Sequence, residues 1–279
     1  MLTVKKITPK IGAEIQGVCF SKGIEISTLD DIYKALLDNL VIMIRNTKIS
    51  PKEHLEFAKS FGELDAPHPV YPSVDGLKQI VKLENDAENP PDTDAWHTDL
   101  TFKKEQPFAS ILVARKVPKV GGDTLWSSCY SAYDRLSEGM KKDFETLKCI
   151  HDMGDFRNSF ALDSNGKRGT ERLDEGMARF GHNIRNLIGI HPVTGRKFLN
   201  FNESFVSHII GLNMNDSNSL KTFLTNHMNK PDDQVRWKWE EGDLVIWDNR
   251  VTMHYAVADY LPEYRCMNRV TVIKDKRAK

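Results

Sequence analysis

The apolar residues of this chain come in short runs. Ala109–Ala114, Lys197–Asn202, Leu244–Trp247 and Val270–Ile273 are each bounded by Gly, Pro or Asp turns. Runs of that length suit strands better than helices, and their spacing late in the chain points to a β-sandwich or barrel core decorated by helices. Helix signals sit mainly near the start. Ser27 is placed to cap a helix reaching about Asn39, and Leu40–Ile44 then reads as a buried strand. Ser50-Pro51-Lys52-Glu53 combines an N-cap, a first-turn proline and a capping-box glutamate, so a second helix should run to about Phe61-Gly62. Before them, Leu2–Ile7 and Ile11–Gly17 alternate as two short strands. Glu84–Asp94 reads as a polar, proline-bearing loop, and Asp163–Gly181 as an exposed connection or a lid.

Composition removes several classes of function. Lys plus Arg and Asp plus Glu are both 39, a zero net charge that argues against a nucleic-acid-coating surface. The longest aliphatic run, Leu40–Ile44, is far below the roughly 20 residues of a membrane helix. The first residues, with Lys5, Lys6, Lys10 and Glu14, carry no apolar leader core. Cys19, Cys129, Cys149 and Cys266 are scattered, with no C-x-x-C pair, which argues against a zinc ribbon or a disulfide framework. A reducing cytoplasm is the expected setting. There is no phosphate-binding glycine loop and no G-x-S-x-G elbow.

Two groups of residues could carry chemistry. His97 and Asp99 form H-x-D, and on an extended segment side chains two apart face the same way. That pair is no rarer than composition allows, but His254 follows the apolar Leu244–Trp247 strand and a Trp247-Asp248-Asn249-Arg250 turn. Two histidines and one carboxylate leave an iron open for other ligands, as in non-haem Fe(II) oxygenases. Taken singly, each histidine reads as readily as a hydrogen-bonded core residue. Arg265 and Arg269 lie on one face of a strand, about 13 Å apart at the usual rise, as two clamps for anions or as two internal ion pairs. Gly121-Gly122-Asp123-Thr124, taken alone, reads as a hairpin turn.

Taken together and in order, these segments are recognisable. Trp96-His97-Thr98-Asp99 with Thr101-Phe102, then Gly121-Gly122-Asp123-Thr124-Leu125-Trp126, then Trp247-Asp248-Asn249-Arg250 with His254, then Ala258-Asp259-Tyr260-Leu261-Pro262 with Arg265 and Arg269, resemble the taurine dioxygenase family. The similarity runs from about residue 5 to about residue 275, so 1–279 is expected to be a single Fe(II)/2-oxoglutarate dioxygenase domain. The resemblance implies a mainly β fold with flanking helices around a double-stranded β-helix (jelly-roll) core. It implies Fe(II) as cofactor with 2-oxoglutarate as co-substrate and O2, and His97, Asp99 and His254 as metal ligands and catalytic centre. Thr124 and Arg265 match the residues that hold the distal carboxylate of 2-oxoglutarate; Arg269 matches the sulfonate-binding arginine. His68, Tyr71, Phe160 and Phe205 match substrate-pocket residues. Thr93 stands where the family usually carries an asparagine that recognises the far end of the substrate.

The implied reaction is hydroxylation of the carbon next to sulfur in taurine or a close alkyl sulfonate. Its products would be sulfite, an aldehyde, succinate and carbon dioxide. The same chemistry on an alkyl sulfate ester or another small anion is the alternative. The resemblance also implies a homo-oligomer, dimer or tetramer, acting on a small molecule, with no nucleic-acid or membrane partner. Two other classes share part of the pattern: a metal-free jelly-roll anion binder and a zinc hydrolase. The first would show no Fe(II)/2-oxoglutarate absorption band, and the second would act without 2-oxoglutarate or oxygen.

Overall fold

Val41–Ile44 is buried at every position, and the two sides of this strand lead into two different cores. Val41 and Met43 pack into one cluster, whereas Ile42 and Ile44 pack into another. The computed structural model describes residues 2–20, 23–68, 71–91, 95–154 and 176–278. In chain order its elements begin with β1 (Thr3–Lys6), β2 (Ala13–Gln16), α1 (Ile26–Asn39), β3 (Val41–Ile44), α2 (Pro51–Phe61), β4 (Gly62–Leu64), β5 (Ser73–Val74), β6 (Leu77–Asn85) and β7 (Ala109–Lys116). They continue with β8 (Thr124–Ser128), α3 (Cys129–Asp134), α4 (Glu138–Phe144), β9 (Lys148–Asp152), β10 (His182–Asn186), β11 (Ile188–Ile190), β12 (Lys197–Leu199) and β13 (Val206–Ile210). The last are α5 (Met214–Met228), β14 (Gln234–Trp237), β15 (Leu244–Asp248), β16 (Thr252–Ala256) and β17 (Arg265–Asp275).

A 9-stranded sheet runs β1-β2-β3-β15-β7-β17-β6-β5, with β4 pairing to β17. Its outer face is closed by the helices: Ile42, Ile44, Ile111, Val113, Leu244, Ile246, Val270 and Val272 meet Ile32 and Leu36 of α1 and Leu55 and Ala58 of α2. Each such side chain fully withdrawn from water contributes about 1.5–3 kcal/mol. The inner face meets the 3-stranded sheet β14-β8-β16, where Trp126 packs on Trp247 with ring centroids 5.8 Å apart. The central strands are thus covered on both faces, which is why they read as continuous apolar runs rather than alternating ones. The architecture is mainly β with flanking helices.

The capping box forms as the sequence dictates: the Ser50 hydroxyl accepts from Glu53 N–H, and Ser50 N–H donates to the Glu53 carboxylate. Two local expectations are corrected. Helix α1 starts two residues earlier, with Glu25 at the N-cap position and no side-chain cap, so Ser27 lies inside the first turn. Gly121–Thr124 is not a hairpin, because β7 and β8 belong to different sheets and the turn carries the chain from one to the other. Residues 163–175 of the expected connection lie outside the described residues. No helix among the described residues is long and apolar enough to cross a membrane.

Candidate active site

His97 and His254 are brought together by the backbone. Each donates its N–H to the other's carbonyl, at 3.0 and 2.8 Å, forming an isolated antiparallel bridge. Directly opposed residues on such a bridge point their side chains to the same face, and the two imidazole centroids lie 4.1 Å apart. Asp99 follows in a turn that places its Oδ1 3.7 Å from His97 Nε2 and 3.9 Å from His254 Nε2. One ligand atom from each of the three residues falls within a 4.8 Å cluster, the one group with metal-binding potential among the described residues.

The neighbourhood prepares these groups for a cation. The Ala95 carbonyl lies 2.8 Å from His97 Nδ1 and can only accept, which puts the ring proton on Nδ1 and leaves Nε2 bare. Burial, and then the neighbouring His97, push the pKa of His254 down to about 3, so this ring is neutral at pH 7. Burial alone would raise the Asp99 carboxyl. The Arg269 guanidinium, both histidines and the Ser110 hydroxyl outweigh burial and hold it below the usual carboxylate range. A two-nitrogen, one-oxygen donor set with no fourth protein ligand among the described residues fits an open Fe(II) site rather than a closed structural zinc site.

Residues that no motif assigned to the site hold its frame. Asn249 is fully buried; its carbonyl oxygen accepts from Asp99 N–H at 2.9 Å, and its amide donates to the Asp99 carbonyl at 3.0 Å and to that of Pro107 at 3.3 Å. Ser110, on β7, donates to Asp99 Oδ2 at 3.0 Å. The Thr98 hydroxyl donates to the Thr252 carbonyl at 2.9 Å. Thr101 is gripped from β9 and β10, by His151 Nδ1 at 2.9 Å from its hydroxyl and by Arg185 Nε donating to its carbonyl at 2.8 Å. Asp248 faces away, ion-paired with Arg250 and hydrogen-bonded to His191, and Arg250 also reaches Asp275. Only Asn249 of the Trp-Asp-Asn-Arg turn touches Asp99 directly, a division of labour that the sequence does not disclose.

A cavity of about 360 Å³ opens over the triad, lined by His97, Asp99, Thr124, Trp247, His254, Arg265 and Arg269 together with Tyr71, Leu83, Pro90 and Pro91. Arg265 is 6% exposed, its Nε has no hydrogen-bond partner, and among the described residues it makes no ion pair. Burial lowers its pKa, yet a guanidinium stays charged at neutral pH, so this wall carries a cation with no ion-pair partner among the described residues. Thr124 sits beside it and accepts at 3.0 Å from Trp239 Nε1, which leaves the hydroxyl proton free to donate. The double glycine makes room for this corner. Gly121 and Gly122 both have positive φ, and a Cβ on Gly122 would press on Pro118, Arg265 and Tyr260 at 3.1–3.3 Å. The Gly122 N–H donates to Asp259 at 2.8 Å, tying the turn to the segment that leads into β17.

The remaining sequence-derived candidates are placed as follows. Arg269 lies in the cavity wall with its Nη1 3.1 Å from Asp99 Oδ1. Tyr71 lines the cavity, and His68 stacks on it with centroids 4.7 Å apart. Phe205 is buried with its ring roughly perpendicular to His97 at 6.4 Å and in contact with Phe102 at 5.1 Å. Thr93 and Phe160 lie outside the described residues.

The chain matches the family model described as taurine catabolism dioxygenase TauD, TfdA family, over residues 3–271. It is 35% identical to an alkylsulfatase of Acinetobacter baylyi over 277 residues, covering 97% of this chain and 84% of that protein. It is 34% identical over 272 residues to the alpha-ketoglutarate-dependent sulfate ester dioxygenase of Pseudomonas putida, covering 97% and 89%. The crystal structure of a taurine dioxygenase from Burkholderia xenovorans superposes with a TM-score of 0.82 at 30% identity, covering 98% of this chain and 90% of that one. The chain belongs to the TauD/TfdA dioxygenase family and has its jelly-roll fold. It is an alpha-ketoglutarate (2-oxoglutarate)-dependent dioxygenase, which uses Fe(II) as cofactor and consumes 2-oxoglutarate and O2.

Proposed function

We propose that this dioxygenase oxidises an alkyl sulfate ester or alkyl sulfonate at the carbon bearing the sulfur group, with the whole chain acting as one catalytic domain. The observation that carries the reading is the pair of buried arginines in one cavity, Arg265 with no carboxylate partner among the described residues and Arg269 beside Asp99. One serves the co-substrate and the other the substrate. His97, Asp99 and His254 would hold Fe(II) through Nε2, a carboxylate oxygen and Nε2. When bound, Fe(II) would supply the redox chemistry by which O2 oxidises 2-oxoglutarate to succinate and carbon dioxide and hydroxylates the substrate, one oxygen atom entering succinate and the other the new hydroxyl group. Arg265 and the free proton of Thr124 anchor the distal carboxylate of 2-oxoglutarate, fixing its orientation beforehand. Arg269 clamps the substrate's sulfur oxyanion, with His68 and Tyr71 beside it. Tyr71, Leu83, Pro90 and Pro91 give part of the cavity an apolar lining that suits an alkyl chain, beside the polar Lys82, Glu84, Asn85 and Asn89.

Hydroxylation at that carbon is self-cleaving. With a sulfate ester, the new hydroxyl loses its proton as the carbon–oxygen bond to sulfate breaks, leaving an aldehyde and sulfate. With a sulfonate, the carbon–sulfur bond breaks and sulfite leaves. The likeness to an alkylsulfatase and a sulfate ester dioxygenase supports the first, while the likeness to a taurine dioxygenase structure supports the second. Thr93, in place of the family's usual asparagine, weighs against taurine, whose amine that residue would face. The test is to measure succinate together with sulfate or sulfite from hexyl sulfate, hexanesulfonate and taurine. Equal amounts of succinate and sulfate from hexyl sulfate, with a lower kcat/KM for taurine, are expected. Release of neither anion from any of the three would refute the reading.

A further inference from the structure

The two oxygens of Asp99 are held differently. Ser110 donates to Oδ2 at 3.0 Å, whereas Oδ1 is the oxygen that faces both histidine Nε2 atoms. Arg269 Nη1 straddles the carboxylate, 3.1 Å from Oδ1 and 3.3 Å from Oδ2. The same guanidinium keeps its Nε buried with no hydrogen-bond partner, in the wall of the cavity. One cation therefore neutralises the oxygen that a metal needs and also faces the space where an anion would sit.

These contacts set up two linked competitions. A metal ion and Arg269 compete for the negative charge of Asp99, and Asp99 and a cavity anion compete for the positive charge of Arg269. An anion on Arg269 draws its charge away from Asp99, so the carboxylate becomes a better ligand and the site repels a dication less. A metal on Asp99 loosens the hold of that carboxylate on Arg269 and so favours the anion. We infer that metal and substrate anion bind this site cooperatively, with Arg269 shifting its charge from Asp99 to the substrate. The inference rests on the reading of Arg269 as the anion clamp. The metal site then reaches its full affinity only when substrate is present, which ties the readiness of the enzyme to the molecule it is meant to oxidise. Linkage makes the effect reciprocal, and couplings between sites are typically about 5- to 150-fold.

The test uses the full-length protein, Mn(II) and hexyl sulfate, without 2-oxoglutarate, by titration calorimetry. Saturating hexyl sulfate should tighten Mn(II) binding by about tenfold, and saturating Mn(II) should tighten hexyl sulfate by the same factor. In Arg269→Gln the coupling should vanish, and Mn(II) alone should bind at least as tightly as to the wild type. The wild-type titrations stand even if that variant does not fold. If hexyl sulfate binds through Arg269 and leaves the Mn(II) affinity unchanged, the coupling is wrong while the clamp survives. If hexyl sulfate binds neither form, or binds Arg269→Gln as well as wild type, the clamp fails and the coupling fails with it.

Discussion

The two faces of the large sheet are made from the same strands and do opposite work. On β7, β15 and β17, the side chains turned to the helices are Ile111, Val113, Leu244, Ile246, Val270 and Val272. Those turned inward include Ser110, Leu112, Trp247, Arg265, Met267 and Arg269, which frame the cavity or back it. One residue of register separates a sealed apolar layer from a wall carrying two buried guanidinium groups. The outer face serves stability alone, whereas the inner face combines an apolar core around Val245, Trp247 and Met267 with the cavity wall. The inner face holds charge that water would solvate better, and it is organised around ligands.

Substitutions on the two faces should separate activity from stability. The largest effect is expected from His254→Ala, with 2-oxoglutarate turnover falling more than about a thousandfold, or about 4 kcal/mol of barrier, while the melting curve stays cooperative. Succinate assays and thermal scans check both halves. Ile246→Ala, on the helix-covered face, should lose about 2–5 kcal/mol of stability in urea with KM for 2-oxoglutarate unchanged. A large KM change there would erase the distinction between faces. Arg265→Met should behave in the opposite way: KM for 2-oxoglutarate rises about a hundredfold, while stability in the absence of ligands holds or increases, because a buried unpaired cation is removed.

The smallest effect is a pH dependence on the helix-covered side. His54 of α2 is buried, with Nε2 3.1 Å from the Ile111 carbonyl; burial, then Arg115, lower its pKa to about 3. The unfolded chain protonates near pH 6.5, before the folded one does. The stability from this residue is therefore complete above about pH 6.5 and is lost as pH falls towards 3, by about 1.4 kcal/mol per pH unit. His54→Gln should flatten the urea midpoint between pH 6 and 4; an unchanged slope would remove His54 from the account.

What could be read from the sequence follows how local each interaction is. The capping box at Ser50 and Glu53 is satisfied within one helical turn, so its residues announce it. The short apolar runs announced strands. Their two-sided burial shows only once α1 and α2 are folded back over the sheet. Gly121–Thr124 looked like a hairpin because the destination of the next strand is a tertiary matter. The triad was visible as H-x-D with a distant histidine only through the ordered motifs around it, since the bridge between His97 and His254 joins remote segments. Ser110 carried no signal, and Asn249 stood inside a motif without a role: a serine in an apolar strand and an asparagine in a turn take on their roles only when Asp99 arrives beside them.

The most direct test of the account is anaerobic difference spectroscopy of the protein with Fe(II) and 2-oxoglutarate, in the wild type, His254→Ala and Arg265→Met. A visible charge-transfer band is expected in the wild type, no band in His254→Ala, and a band in Arg265→Met that needs about a hundredfold more 2-oxoglutarate. A band of undiminished strength in His254→Ala would contradict the assignment of the inner face as the iron and 2-oxoglutarate site.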